Sequence, residues 1–217
     1  MDFEQARLNM IASQVRTWEV LNQTILDLLL KVKREDFVPV QHRALAFADM
    51  QLPLGHGEVM LQPKVEARML QSLEVKNSDK VLEVGTGSGY SAALLGHLAR
   101  EVHSVEIIDE FAHSATRKLR HFSIDNVTVE AGDAATGWAP RAPYDVILLT
   151  GSVAVLPEVF KQQLTVGGRL LAVTGNRPAM TATLITRRAT DAFSSEGLFE
   201  TVIPALKNVQ QPNKFVF

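Results

Sequence analysis

Apolar positions change their spacing near residue 80. Before that point the pattern is helical. Residues 3–16 are polar and mildly amphipathic, and Leu21, Ile25, Leu28, Leu29 and Val32 recur every three or four positions, which predicts one buried helix face. The run KREDFVP (33–39) and the punctuation of Pro39, Pro53, Gly55 and Gly57 predict an ordered but irregular segment. Behind Pro63, a favoured first helical residue, Val65, Met69, Leu70 and Leu73 fall on one face of a further helix. The Leu28–Leu29–Leu30 run and Met69 read as core.

From Lys80 onward β-type runs alternate with helical ones: KVLEV (80–84), SAALLGHLA (91–99), VHSVE (102–106), DEFAHSATRKLRHF (109–122), NVTVE (126–130) and YDVILLT (144–150). A helix near 156–163 and a fifth strand, GRLLAVTG (168–175), follow, the strand starting after a Gly167–Gly168 turn. Such alternation predicts βαβ units and a mostly parallel sheet. TATLITRR (181–188) and FETVIPAL (199–206) read as extended segments separated by a polar loop, and are expected to pair antiparallel at one sheet edge. No repeat or linker divides the chain. It reads as one structural domain in two parts: a helical and loop-forming extension over 1–79 and a sheet-bearing core over 80–217.

Composition narrows the function classes. The 217 residues are 46% hydrophobic and 21% charged, a globular balance that excludes extensive disorder. Lys and Arg number 22 against 24 Asp and Glu, so no polybasic field is available for nucleic acid or an anionic membrane. Cysteine is absent, which removes disulfides, thiol nucleophiles and Cys-ligated metal centres. The start MDFEQARLNM lacks the basic and apolar regions of a signal peptide, so a cytoplasmic address is expected. The apolar run ILDLLLKV (25–32) contains Asp27 and Lys31 and falls far short of the ~20 residues of a membrane span. The histidines, at 42, 56, 97, 103, 113 and 121, show no metal-ligand spacing, and no metal is expected.

The chemistry concentrates in VLEVGTGSGY (81–90), where a buried strand runs into Gly85, Thr86, Gly87, Ser88 and Gly89 and then a helix. Glycines let a backbone lie against a ligand, and a helix N-terminus offers N–H groups, so a polar or anionic group is expected there. The spacing G-x-G-x-G differs from the dinucleotide fingerprint G-x-G-x-x-G, and Glu83 lies two positions before the first glycine. That carboxylate suits a ligand carrying an ammonium group, held directly or through water, such as the methionine moiety of S-adenosylmethionine. Glu106, followed by Ile107, ends the second strand 21 residues after Gly85, where a carboxylate can accept from both ribose hydroxyls of an adenosine. Asp133, after the third strand, can accept from the adenine amine while the Ala134 N–H donates to a ring nitrogen. Trp138 is expected beside the adenine or in the core.

Taken together, these motifs resemble the class I S-adenosylmethionine-dependent methyltransferases, and specifically the protein-L-isoaspartate O-methyltransferase family. The matching pieces include DFVP (36–39), FADMQLPLGHG (47–57), QP (62–63), VLEVGTGSGYSAALL (81–95), NVTVEAGDAATGW (126–138), PYDVILLTG (143–151), QLTVGGRL (163–170) and VIPAL (202–206), spread over nearly the whole chain. The resemblance implies a Rossmann-like α/β fold: a mostly parallel seven-stranded sheet with a C-terminal antiparallel hairpin and an N-terminal helical extension. It also implies carboxyl methylation of damaged, isoaspartyl-containing proteins or peptides with S-adenosyl-L-methionine. One stretch departs from the family pattern. Where the family reads Gly-Gln-Thr-Ile-Ser-Gln-Pro, this chain has Gly57-Glu58-Val59-Met60-Leu61-Gln62-Pro63, which removes two hydroxyls that would line the acceptor site. An anionic acceptor is expected to be less welcome beside Val59 and Leu61.

A carboxylate acceptor with a pKa near ~4 is ionised at neutral pH, so no catalytic acid or base is assigned. His56, in the covering loop, is a candidate substrate contact, and Asp49 stands between a cleft and a loop role. Three other functions stay open: a methyltransferase of this fold with another acceptor such as a small molecule, a non-catalytic S-adenosylmethionine-binding module, and a nicotinamide oxidoreductase. The last is disfavoured by Glu83 and the glycine spacing. Residues 205–216, at the C-terminus, either close over the cofactor or pack elsewhere.

Overall fold

The computed structural model describes residues 2–210. Asp2 caps helix α1 (Phe3–Met10) by accepting from the Gln5 N–H at 3.1 Å, and the coil continues through a π turn (Ile11–Val15) and a 3₁₀ turn (Arg16–Trp18). Asn22 caps α2 (Gln23–Lys31) by accepting from the Ile25 N–H at 3.3 Å. Ile25, Leu28, Leu29 and Val32 are buried as expected, each contributing roughly 1.5–3 kcal/mol relative to exposure. Leu21 is not, and is 71% exposed, because the Asn22 cap places it before the helix rather than on its face. Leu30, which was also read as core, is 38% exposed. It lies about 100° around the helix from Leu29 and so leaves the buried stripe.

The irregular segment resolves into two 3₁₀ turns (Arg34–Asp36 and Val40–Leu45) and a small hairpin, β1 (Leu52–Gly55) and β2 (Glu58–Met60), which the punctuation alone did not reveal. Helix α3 (Pro63–Leu73) starts on its proline and buries Val65, Met69, Leu70 and Leu73.

The sheet follows the expected alternation: β3 (Lys80–Val84), α4 (Tyr90–Leu98), β4 (Glu101–Glu106), α5 (Asp109–His121), β5 (Val127–Ala131), β6 (Tyr144–Leu149), α6 (Glu158–Gln162), β7 (Leu164–Asn176), β8 (Ala179–Ala189) and β9 (Ala192–Glu200). Its spatial order is β5-β4-β3-β6-β7-β8-β9. Pairs from β5 to β7 are parallel, and β8 runs antiparallel to β7 and β9. This is the seven-stranded, mostly parallel arrangement with C-terminal antiparallel strands that the sequence implied.

Two boundaries differ. Strand β7 begins at Leu164, so Gly167 and Gly168 lie inside it at a register shift against β6 rather than before it. The polar stretch read as a loop contains β9, while residues 201–206 leave the sheet. An edge strand facing solvent on much of both faces needs few apolar residues, and its polarity therefore concealed it.

Strand residues alternate between two cores. Val81, Val102, Val146 and Leu148 pack with the buried residues of the first 79 positions on one face. Leu82, Val84, Val105, Ile147 and Leu149 pack on the other with Tyr144 and Phe160. Between β3 and β6 the strand order reverses direction, which opens a crevice beyond the strands' C-terminal ends. Among the described residues no helix is long and apolar enough to cross a membrane.

Candidate functional site

A cavity with about 700 Å³ of open space, its mouth included, occupies that crevice. Its floor comes from four strand ends: Gly85 and Gly87 after β3, Glu106–Ile108 after β4, Gly132–Ala135 after β5, and Thr150 and Gly151 after β6. Its roof comes from the β1–β2 hairpin (Leu54, Glu58 and Val59), from Leu61, and from Pro204–Lys207.

In the glycine turn the backbone is tied down internally. The Gly85 N–H donates to Val105 O at 2.8 Å, Gly87 N–H to Glu106 Oε2 at 2.7 Å, and Gly89 N–H to Thr86 O at 2.9 Å. Gly85 has φ +94°, and a Cβ there would run into the Thr150 hydroxyl, which donates to Gly85 O at 2.6 Å. These three N–H groups are therefore already occupied and flanked by carboxylates, which corrects the expectation of an anion at this turn. A pyrophosphate is a poor fit here, and with it a nicotinamide dinucleotide.

Glu106 lies on the cavity wall, with Oε1 accepting from the Ile108 N–H at 2.9 Å and Oε2 from Gly87. Each oxygen keeps a lone pair for a further donor. Ile107 and Ala134 also line the cavity. Asp133 accepts from the Ala135 N–H at 2.9 Å and from Asn208 Nδ2 at 2.8 Å, with its carboxylate on the wall.

Four of the cofactor-binding candidates, Glu83, Thr86, Ser88 and Gly89, lie off the wall. Thr86, Ser88 and Gly89 shape the turn and the start of α4 without lining the cavity. Glu83 is fully buried on the opposite face of β3 from Val84, because strand side chains alternate. Its Oε2 accepts from Ser104 Oγ at 2.5 Å, and that hydroxyl meets Thr86 Oγ1 at 2.5 Å. Glu83 thus braces the turn from beneath instead of touching a ligand. Burial, opposed by the Ser104 hydrogen bond and reinforced by the Glu66 and Glu106 charges, pushes Glu83 up to about 8. Trp138 also lies off the wall and packs in the second core against Gly132.

The roof gathers distant segments. Val59 and Leu61 line it. His56 does not. At the hairpin tip, with φ 54°, its Nε2 meets Glu110 Oε2 at 2.9 Å and its ring packs edge-on to Phe111, fastening the hairpin to α5. Asp49 pairs with Lys64 at 2.6 Å and takes a loop role. Arg34, buried in the first core, donates to Ala46 O at 2.9 Å, Leu61 O at 2.5 Å and Glu66 at 2.7 Å, so one guanidinium fixes the base of the roof. The C-terminal segment zips onto the end of β6: Ser152 N–H donates to Pro204 O at 2.8 Å, and Leu206 N–H to Ser152 O at 3.0 Å. Gln51 Nε2 joins the hairpin side to Val202 O at 2.8 Å. Of the two expectations for 205–216, closure over the cavity holds for Ala205–Lys207, and 211–216 lie outside the described residues.

Sequence reading missed Thr150 and Lys207. Thr150 follows the fourth strand as Glu106 follows the second, a positional signal that could have found it. Lys207 had no local signal. It reaches Glu58 Oε1 at 2.8 Å from 149 positions along the chain (207 minus 58).

The site offers a carboxylate with lone pairs open to hydroxyl donors, a second carboxylate beyond the neighbouring strand beside backbone groups, apolar walls, and glycine N–H groups already taken at the turn. These features fit the ribose and adenine of S-adenosylmethionine. A family model described as Protein-L-isoaspartate(D-aspartate) O-methyltransferase matches residues 6–209. The chain is 38% identical over 197 residues to Protein-L-isoaspartate O-methyltransferase 1 of Rhodopseudomonas palustris (strain HaA2), covering 90% of this chain and 80% of that one. It is 37% identical to the Protein-L-isoaspartate O-methyltransferase of Roseiflexus castenholzii, with 91% and 90% covered. In fold it is similar to a Plasmodium falciparum crystal structure in complex with S-adenosyl-L-homocysteine: TM-score 0.79, 18% identity, 95% of this chain and 99% of that one.

Proposed function

Because this chain belongs to the protein-L-isoaspartate(D-aspartate) O-methyltransferase family, we propose that its cavity divides one methyl transfer between a cofactor floor and an acceptor roof. The chain is an S-adenosylmethionine-dependent methyltransferase of the protein-L-isoaspartate type. On the floor, Glu106 would hold the ribose hydroxyls, Asp133 and Ala134 the adenine edge, and Gly85 and Gly87 would let the cofactor lie against the backbone. Glu83, Thr86 and Ser104 keep that turn in place. The observation that carries this reading is Glu106, fixed by the Gly87 and Ile108 N–H groups with its carboxylate on the cavity wall.

S-adenosylmethionine, when bound, supplies an electrophilic methyl group. The chain's own residues have only to bind, orient and exclude water, since an isoaspartyl carboxylate with a pKa near ~4 is already ionised and needs no base. Fixing the acceptor in line under the roof is worth about 7–11 kcal/mol of the barrier. Val59, Leu61 and Leu54 supply the apolar cover that keeps water from the nucleophile. The expected acceptor is an isoaspartyl site in a damaged protein or peptide.

Radiolabelled S-adenosylmethionine with an isoaspartyl peptide, and the aspartyl isomer as control, tests this. A base-labile methyl ester on the isoaspartyl peptide alone is expected. No label in a preparation that binds the cofactor would overturn the acceptor assignment.

A further inference from the structure

We propose that Lys207 selects for an anionic acceptor and that Glu58 tempers its charge, an inference that rests on the methyl-transfer reading above. The family's hydroxyls are missing from this roof, where Val59 and Leu61 stand in their place. A carboxylate entering an apolar roof needs a compensating donor, because an unpaired buried charge is costly. The roof supplies one. Lys207 lines the cavity, and its ammonium lies 2.8 Å from Glu58 Oε1 on the facing hairpin.

Among the described residues the charged side chains on the wall are Glu58, Glu106, Asp133 and Lys207, and of these only Lys207 is cationic. Glu106 and Asp133 belong to the floor and are held by backbone N–H groups and Asn208. An ammonium has three donors, and the Glu58 contact occupies one. The other two remain for an acceptor carboxylate. Lys207 is also well positioned: Leu206 N–H is fastened to Ser152 O at 3.0 Å on one side of it, and Asn208 to Asp133 at 2.8 Å on the other. A backbone anchor on one side and the Asn208 side-chain anchor on the other reduce the cost of ordering the lysine when the acceptor binds. Glu58, where the family has a neutral glutamine, neutralises the lysine in the absence of acceptor and competes with the acceptor for it.

The competing account makes the pair a strap that only joins the two halves of the roof. Glu58→Met and Lys207→Met break a strap equally, so that account predicts the same direction of change in both. Charge selection predicts opposite directions. Lys207→Met should raise the KM for an isoaspartyl peptide about tenfold, the size of one charge-assisted hydrogen bond, with kcat changing less. Glu58→Met should lower that KM a few-fold at low salt, with the advantage fading at high salt as screening sets in. Lys207→Gln, which can still hydrogen-bond Glu58, should behave like Lys207→Met, and Lys207→Arg like wild type. Calorimetry with S-adenosylmethionine checks that each variant keeps a folded floor. KM shifts of the same sign in the two methionine variants, or an unchanged KM in Lys207→Met and Lys207→Gln, overturn the proposal while the methyl-transfer reading stands. A wild type inactive on the peptide overturns that reading, and this proposal with it.

Discussion

The floor and roof of the cavity are held together in different ways. On the floor, successive strand ends each contribute residues, and short hydrogen bonds from backbone N–H groups fix them: Gly85 to Val105 O, Gly87 to the Glu106 carboxylate, Gly132 to Glu106 O at 2.9 Å. Every step is set by a parallel strand and the turn that follows it. The roof joins a hairpin near residue 55 to a segment near residue 205 through Gln51–Val202 and Glu58–Lys207 contacts, with Arg34 holding its base from within the core. On the proposed assignment, cofactor chemistry is built into the sheet. On the same assignment acceptor chemistry is built from loops, where Val59 and Leu61 line the cavity.

If the floor is rigid by construction, its glycine turn should be the least tolerant point. Gly85→Ala places a side chain at φ +94° and against Thr150, which should destabilise the protein by about 1–3 kcal/mol and abolish measurable cofactor binding. Wild-type calorimetric affinity in this variant would mean that the turn is looser than the hydrogen bonds imply. Glu106→Ala should weaken S-adenosylmethionine binding by roughly 1–3 kcal/mol while sparing the peptide KM, because it removes charge-assisted bonds on the floor alone. Calorimetry showing unchanged affinity would remove the ribose assignment.

The roof should be adjustable where the floor is not. Restoring the family's hydroxyls with Val59→Thr and Leu61→Ser should raise kcat/KM for an isoaspartyl peptide about fivefold, near one net hydrogen bond, without moving cofactor affinity. No gain in the folded double variant would show that Lys207 and the apolar cover already suffice.

How much of this could be read in the sequence follows the same division. The parallel strands, the glycine turn, Glu106 and Asp133 were legible because each signal is local: a period, a turn residue, a fixed spacing after a strand. The side of β3 on which Glu83 lies was also legible in principle, since strand alternation places it opposite Val84, but its pairing with Ser104 depends on the neighbouring strand. Strand β9 was hidden because a solvated edge carries no apolar alternation. His56 was read as a cleft residue because nothing near it in the chain announces Glu110 or Phe111. Lys207 was invisible for the same reason: its partner is set by where the chain returns, which spacing along one segment does not encode.

A further expectation concerns the pH dependence of stability. Glu83 has its pKa raised from 4.5 to about 8, with burial as the chief cause. Between those values the folded chain retains a proton that the unfolded chain has released. Stability should therefore fall as pH rises through this window, and this contribution should level off above it. Glu83→Gln should remove that part of the slope when Tm is followed against pH. Parallel slopes in the two proteins would mean that Glu83 is ionised in the fold.

The separation of floor from roof is tested most directly by steady-state methylation of an isoaspartyl peptide over a matrix of cofactor and peptide concentrations, with wild type, Glu106→Ala and Lys207→Met side by side. The expected result is that Glu106→Ala raises the KM for S-adenosylmethionine and leaves that for peptide, while Lys207→Met does the reverse. Both variants raising both constants together would contradict a cavity divided in this way.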